Sequence, residues 1–146
     1  MTGKKDRALL RAVDANINRA GEGLRVIEDI TRFVFNNKTA SSRLKKLRHA
    51  VSKTAEGFGT GRKELLKCRD SREDAGRKIN PKTEFYRENT GSILASNFKR
   101  AEESLRVLEE ISKIYSAKTS LCFKELRYKT YEAEKEIMLK YIRRKK

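Results

Sequence analysis

One stretch of this chain is written twice. Asn16-Ile-Asn-Arg-Ala-Gly-Glu-Gly-Leu-Arg-Val-Ile-Glu-Asp29 aligns with Asn97-Phe-Lys-Arg-Ala-Glu-Glu-Ser-Leu-Arg-Val-Leu-Glu-Glu110 at an offset of 81 residues. Extended to Phe33 and Ile114, nine of eighteen positions are identical. A shorter match follows each copy: Leu47-Arg48-His49 after the first, Leu126-Arg127-Tyr128 after the second. An internal repeat constrains a fold more than a single motif does, because both copies must form the same local structure and bury their apolar faces against a neighbour. The expected fold is all-α: a compact helical bundle of two pseudo-repeated hairpins, about 14–68 and 92–143, joined by a long loop within one domain, 1–146. Packed face to face, the hairpins would bring equivalent residues near a pseudo-twofold axis.

The helices follow from apolar spacing. Val13, Ile17, Ala20, Leu24, Ile27, Ile30 and Val34 recur in steps of three and four, and Asn36-Asn37 end the pattern. This helix is capped by Asp14 or begins as early as Asp6. A second helix starts near Ser41 or Ser42, carries Leu44, Leu47, Val51 and Ala55, and stops at Gly57 or Gly59. A short helix around Arg62–Cys68, a long one over Ser92–Ser116 and a last one over Ser120–Arg143 complete the set, and no segment alternates with the period of a strand. From Arg69 to Gly91 the periodicity gives way to loop residues: Asp70, Ser71, Asp74, Gly76, Asn80 and Pro81. Loops of that length in a compact domain are usually functional or disordered.

Charge and length exclude several classes. At 146 residues the chain is shorter than a (β/α)₈ barrel, which takes about 250. Lys and Arg number 36 against 20 Asp and Glu, a net charge of +16, which attracts nucleic acid, an acidic membrane or a phosphorylated small molecule. Basic residues alternate with acidic ones along every helix and no recognition motif is present, so no specific nucleic-acid partner is expected. No apolar run is long enough to span a membrane, and MTGKKDRALL has no signal-peptide core. Cys68 and Cys122 form neither a zinc motif nor a disulfide framework; reduced thiols and a cytoplasmic location are the expectation.

Helical periodicity turns several polar residues inward. Asn16 falls within the first apolar face with Arg19 at its border, and Asn97 and Arg100 repeat that placement. Arg48 lies between Leu44 and Val51, Arg127 at the edge of the stripe of Phe123, Leu126, Thr130 and Ile137, and Glu28 and Glu109 flank the apolar faces. A buried guanidinium needs a carboxylate or a ligand anion. Two readings follow. Either the arginines pair with Glu28 and Glu109 as a structural network, or Arg19, Arg48, Arg100 and Arg127 surround a cavity and grip phosphate oxygens by forked hydrogen bonds. His49 lies off the apolar face. In the loop, Phe85 and Tyr86 are candidates to stack on a flat heterocycle, and Asp70 and Asp74, four apart, are candidate Mg²⁺ ligands beside Arg69. Neither a G-x-x-x-x-G-K-[ST] nor a G-x-G-x-x-G loop occurs.

From Asp14 to Asp29, through Leu47-Arg48-His49, Arg69-Asp70, Asp74, Gly76, Ala95–Glu110 and Leu126-Arg127-Tyr128, the chain resembles the small all-helical hydroxymethylpyrimidine phosphate kinases of thiamine biosynthesis, a domain also found ahead of a thiamine phosphate synthase barrel. The resemblance covers about 14–135, although Ser71-Arg-Glu73 and Arg77 make the loop more charged than that pattern. It implies transfer of the ATP γ-phosphoryl group to hydroxymethylpyrimidine monophosphate, with Arg19, Arg48 and Arg100 as catalytic residues. Asn16, Asn97, Arg127 and Arg69 would bind substrate or nucleotide, and Asp70 and Asp74 would hold Mg²⁺. A non-catalytic helper that delivers pyrimidine phosphate to a thiamine phosphate synthase is the alternative, and a basic nucleic-acid-binding module the third reading.

Overall fold

The structure, a computed structural model, describes residues 4–79 and 87–142; Asn80, Pro81, Phe85, Tyr86 and the basic tail from Arg143 lie outside them. Helix α1 spans Lys4–Asp29 and continues as a π-helical turn, Ile30–Val34. Helix α2 covers Lys38–Thr54 and tightens into a 3₁₀ turn at Ala55–Phe58, α3 covers Arg62–Cys68, α4 Thr90–Tyr115 and α5 Ala117–Ile142. The fold is all-α, with no strand among the described residues.

The boundaries differ from the sequence reading for local reasons. Asp14 caps nothing: α1 runs through it, and Asp14 is buried in mid-helix. Helix α2 starts three residues before Ser41, because Asn36 adopts a left-handed φ of 51° and Asn37 turns extended, so that its Oδ1 accepts the Ala40 amide at 3.0 Å. Side-chain amides commonly cap in this way. Gly59, at φ 72°, ends the second hairpin helix in the left-handed conformation that glycine adopts without strain.

Helix α1 packs on α2 and α4, α4 on α5, and α5 on α2, so the four long helices close a ring, and α3 rests against α1. Leu24, Ile27, Leu44, Leu94, Phe98, Leu105, Leu108 and Phe123 fill the centre with no exposed surface. The two repeat helices cross where the side chains are smallest. Gly23 lies so near α4 that a Cβ there would stand 2.9 Å from the carbonyl oxygen of Asn97, and Ala20 and Ala101 are fully buried alongside. This crossing sets Asn16 and Arg19 of α1 beside Arg100 of α4.

Candidate functional site

Both asparagines are satisfied within their own helices. Asn16 Nδ2 donates to the Ala12 carbonyl and Asn97 Nδ2 to the Ile93 carbonyl, each at 2.8 Å. Neither amide oxygen has a protein partner among the described residues. The repeat is thus kept at the level of side-chain geometry.

The inward arginines divide into two kinds. Arg48 Nε donates to Glu28 Oε1 at 3.0 Å and Arg127 Nε to Glu109 Oε1 at 3.1 Å, equivalent contacts in the two repeats. Arg127 also lies over the rings of Tyr128 and Tyr131, and Arg106 reaches Glu109 at 2.6 Å. Arg48 and Arg127 therefore join buried carboxylates, the first of the two readings above, and the four arginines do not converge on one cavity. The reason is register. Each hairpin's antiparallel pairing sets a carboxylate of the repeat helix opposite the arginine of the following helix, and a buried carboxylate needs that cation.

Arg19 and Arg100 remain. Arg19 is exposed and has no hydrogen bond or ion pair among the described residues. Arg100 meets Glu22 only at 3.7 Å, with both side chains at least half exposed, a pairing worth little in water. Arg19 and Asn16 stand between two adjoining grooves. One, about 680 Å³, runs along α4 past Ser96, Lys99, Arg100 and Ser104, with Gly76 and Ile79 of the loop at its edge. Asn97 does not line it, so the two halves contribute unequally to the groove. The other, about 480 Å³, lies between α1 and the start of the loop, lined by Arg11, Asp14, Arg69, Asp70 and Asp74.

The loop is fastened to α1 by arginines. Arg69 grips Asp14 with two parallel bonds, Nε to Oδ2 at 2.7 Å and Nη2 to Oδ1 at 2.8 Å. The hydrogen bond to Asp14, and then its charge, hold the Arg69 guanidinium above its usual value, so it stays ionised. Arg11 donates to the Asp70 carbonyl at 3.2 Å and Arg7 to the Lys67 carbonyl at 3.3 Å. Arg69 thus anchors the loop, and two of its donors are already engaged. Asp70 Oδ1 accepts the Glu73 amide and Asp74 Oδ1 the Gly76 amide, so each carboxylate gives one oxygen to a turn. Among the described residues no three His, Cys, Asp or Glu side chains gather around a metal position.

The balance of charge separates the grooves. The α1–loop groove sets Asp14, Asp70 and Asp74 against Arg11, Arg19 and Arg69, whereas the α4 groove sets Arg19, Lys99 and Arg100 against Glu103 alone. An anion is favoured on the α4 side. Periodicity had singled out neither Lys99 nor Arg11: both are surface residues of their helices, and the crossing of α1 and α4 places Lys99 near Arg19, while the course of the loop places Arg11 beside Asp70.

The model of the ThiD2 family matches residues 11–136. The chain belongs to the ThiD2 family. Three relatives, all named thiamine-phosphate synthase, are from Rhodopirellula baltica, Nostoc punctiforme and Synechocystis. They are 35%, 38% and 35% identical to it over 96%, 90% and 90% of this chain. The chain spans 37%, 36% and 36% of their lengths, little more than a third. No solved structure matches. Thiamine biosynthesis is therefore the setting of this ThiD2 chain, and the kinase expectation is corrected. The relatives bear the name of a different enzyme, a synthase. No helix of the described residues is long and apolar enough to cross a membrane. Cys68 is buried, Cys122 exposed, and both are free.

Proposed function

We propose that this ThiD2 chain is a non-catalytic helper in thiamine-phosphate synthesis, which binds hydroxymethylpyrimidine phosphate in the α4 groove and delivers it to a thiamine-phosphate synthase. The observation that carries this reading is Arg19, without a partner among the described residues and next to Arg100 and Lys99 in a groove whose only acidic wall residue among those described is Glu103. Two guanidinium forks and an ammonium suit the oxygens of a phosphate monoester. The free amide oxygen of Asn16 would accept from the amino group of the pyrimidine. Asp70 and Asp74, each with one oxygen not engaged in a turn, would hold a Mg²⁺ that keeps most of its waters. When bound, that ion would supply positive charge in the α1–loop groove, which adjoins the α4 groove at Asn16 and Arg19. The relatives carry a region like this chain within proteins about two and a half times as long, which favours a module that works beside synthase machinery.

Calorimetry with hydroxymethylpyrimidine phosphate tests the proposal. Saturable binding is expected, and Arg19→Ala should weaken it about 10–100-fold, the loss of a charged hydrogen-bond donor, without lowering the melting temperature. Addition of the chain should also raise the rate of a separate thiamine-phosphate synthase at limiting pyrimidine phosphate. Absence of binding, or appearance of the diphosphate on incubation with ATP and Mg²⁺, would overturn the helper reading.

A further inference from the structure

Glu102, on α4, is 2% exposed, and neither of its carboxylate oxygens has a hydrogen bond among the described residues. A buried carboxylate left in that state is costly, and one this well enclosed calls for a physical explanation. Among the described residues two charged groups act on it: Glu134 from α5 and Lys99 from its own helix, whose Nζ stands 3.6 Å from Oε1. Ionised carboxylates only accept hydrogen bonds, so Glu102 and Glu134 bond to each other only when one proton is held between them. Burial first, and then Glu134, push Glu102 up to about 8, while Lys99 pulls it back down. Lys99 has a second role in the architecture, because it also lines the α4 groove with Arg19 and Arg100.

We infer that the Glu102–Glu134 pair is a proton store coupled to the ligand groove through Lys99. A phosphate that enters the groove draws the Lys99 ammonium toward itself, and the carboxyl pair, deprived of its cation, takes up a proton from solvent. The inference rests on the α4 groove as the anion site proposed above. Its consequence is that ligand binding and proton uptake are linked, so affinity declines as pH rises through the range in which Glu102 ionises in the free protein. Near pH 6 Glu102 already holds its proton and adds nothing.

The test is calorimetry with hydroxymethylpyrimidine phosphate at pH 8, repeated in two buffers of different ionisation enthalpy. At that pH the ligand phosphate is already a dianion and contributes little of its own. The difference in heats should show uptake of up to about half a proton per ligand, since Glu102 is pushed up to about 8. Glu102→Gln should bind at least as tightly with that uptake lost, and Glu134→Gln gives a second, independent loss of the pair. Equal heats in both buffers for the wild type, or uptake unchanged in Glu102→Gln, would overturn the coupling while the groove reading stands. Absence of any binding would overturn the groove reading and the coupling with it.

A ligand-free measurement reads the same pair. The Glu102 carboxyl is raised above the ordinary 4.5 in the folded state, so the stability it contributes is fully present below about 4.5 and is lost as pH rises through about 8. Wild-type melting should fall across that window more steeply than that of Glu102→Gln; parallel curves would overturn the buried pair as a proton site.

Discussion

Replacement of Arg48 by Ala is expected to destabilise the fold by about 3–5 kcal/mol, the cost of stranding a buried carboxylate. The Glu28 side chain is 5% exposed and Arg48 21%, so solvent screens the pair little. At about 2–4 °C per kcal/mol for a chain of this size, the melting temperature should drop by roughly 10 °C. The equivalent Arg127→Ala should cost less, because Glu109 keeps Arg106 at 2.6 Å. Removing both charges at once, as Glu28→Gln with Arg48→Ala, should recover part of the loss, since no lone carboxylate then remains buried. Arg19→Ala is the contrast: an exposed arginine without a partner should change stability by no more than about 0.5 kcal/mol. Denaturant unfolding of the four variants measures all of this. If Arg48→Ala unfolds like wild type but loses ligand binding, Arg48 belongs to the groove and its separation from Arg19 is wrong.

Gly23→Val should be as damaging by a different route. Even its first carbon would stand 2.9 Å from the Asn97 carbonyl oxygen and 3.5 Å from the Ala101 nitrogen, and backbone atoms of a buried helix yield only if the helix itself moves. Overpacking of this kind typically costs about 1–3 kcal/mol for small additions, and two further methyl groups at a helix crossing should take it to about 3 kcal/mol or beyond. Helix propensity offsets only about 1 kcal/mol of that. Gly21, two residues earlier, has nothing within 4 Å of its would-be Cβ, so Gly21→Ala should stabilise the chain by up to about 1 kcal/mol. The pair thus separates glycine as a spacer from glycine as a tolerated weak point. Because the crossing positions Arg19 beside Arg100, Gly23→Val should also weaken pyrimidine phosphate binding, whereas Gly21→Ala should leave it intact. A Gly23→Val protein that melts and binds like wild type would show that the helices can separate freely there.

Much of this was legible in one dimension. The duplicated Asn-x-x-Arg-Ala stretch, the steps of three and four and the loop residues after Cys68 predict helices that match α1 to α5 closely, including Arg62–Cys68 to the residue. The start of α2 was missed because a left-handed Asn36 and a capping Asn37 look like the end of one helix and are also the start of the next. Asp14 was misread because an acidic residue before an apolar run signals a cap, and only its contact with Arg69, 55 residues away, explains why it is buried inside α1 instead.

The sequence by itself determined the helices, their duplication and the set of polar side chains that turn toward the interior, because these depend on neighbours within one or two helical turns. Tertiary structure alone decided what each of those side chains meets. Arg19 and Arg48 share the same inward bias, yet the antiparallel hairpin brings Glu28 to Arg48, while the path of the loop and the close crossing at Gly23 leave Arg19 beside Arg100 and Lys99 without a carboxylate of its own. Whether an arginine becomes a structural cation or an anion receptor depends on the charge across a gap of a few ångströms. That charge is carried by a residue tens of positions away, which periodicity along one helix does not encode.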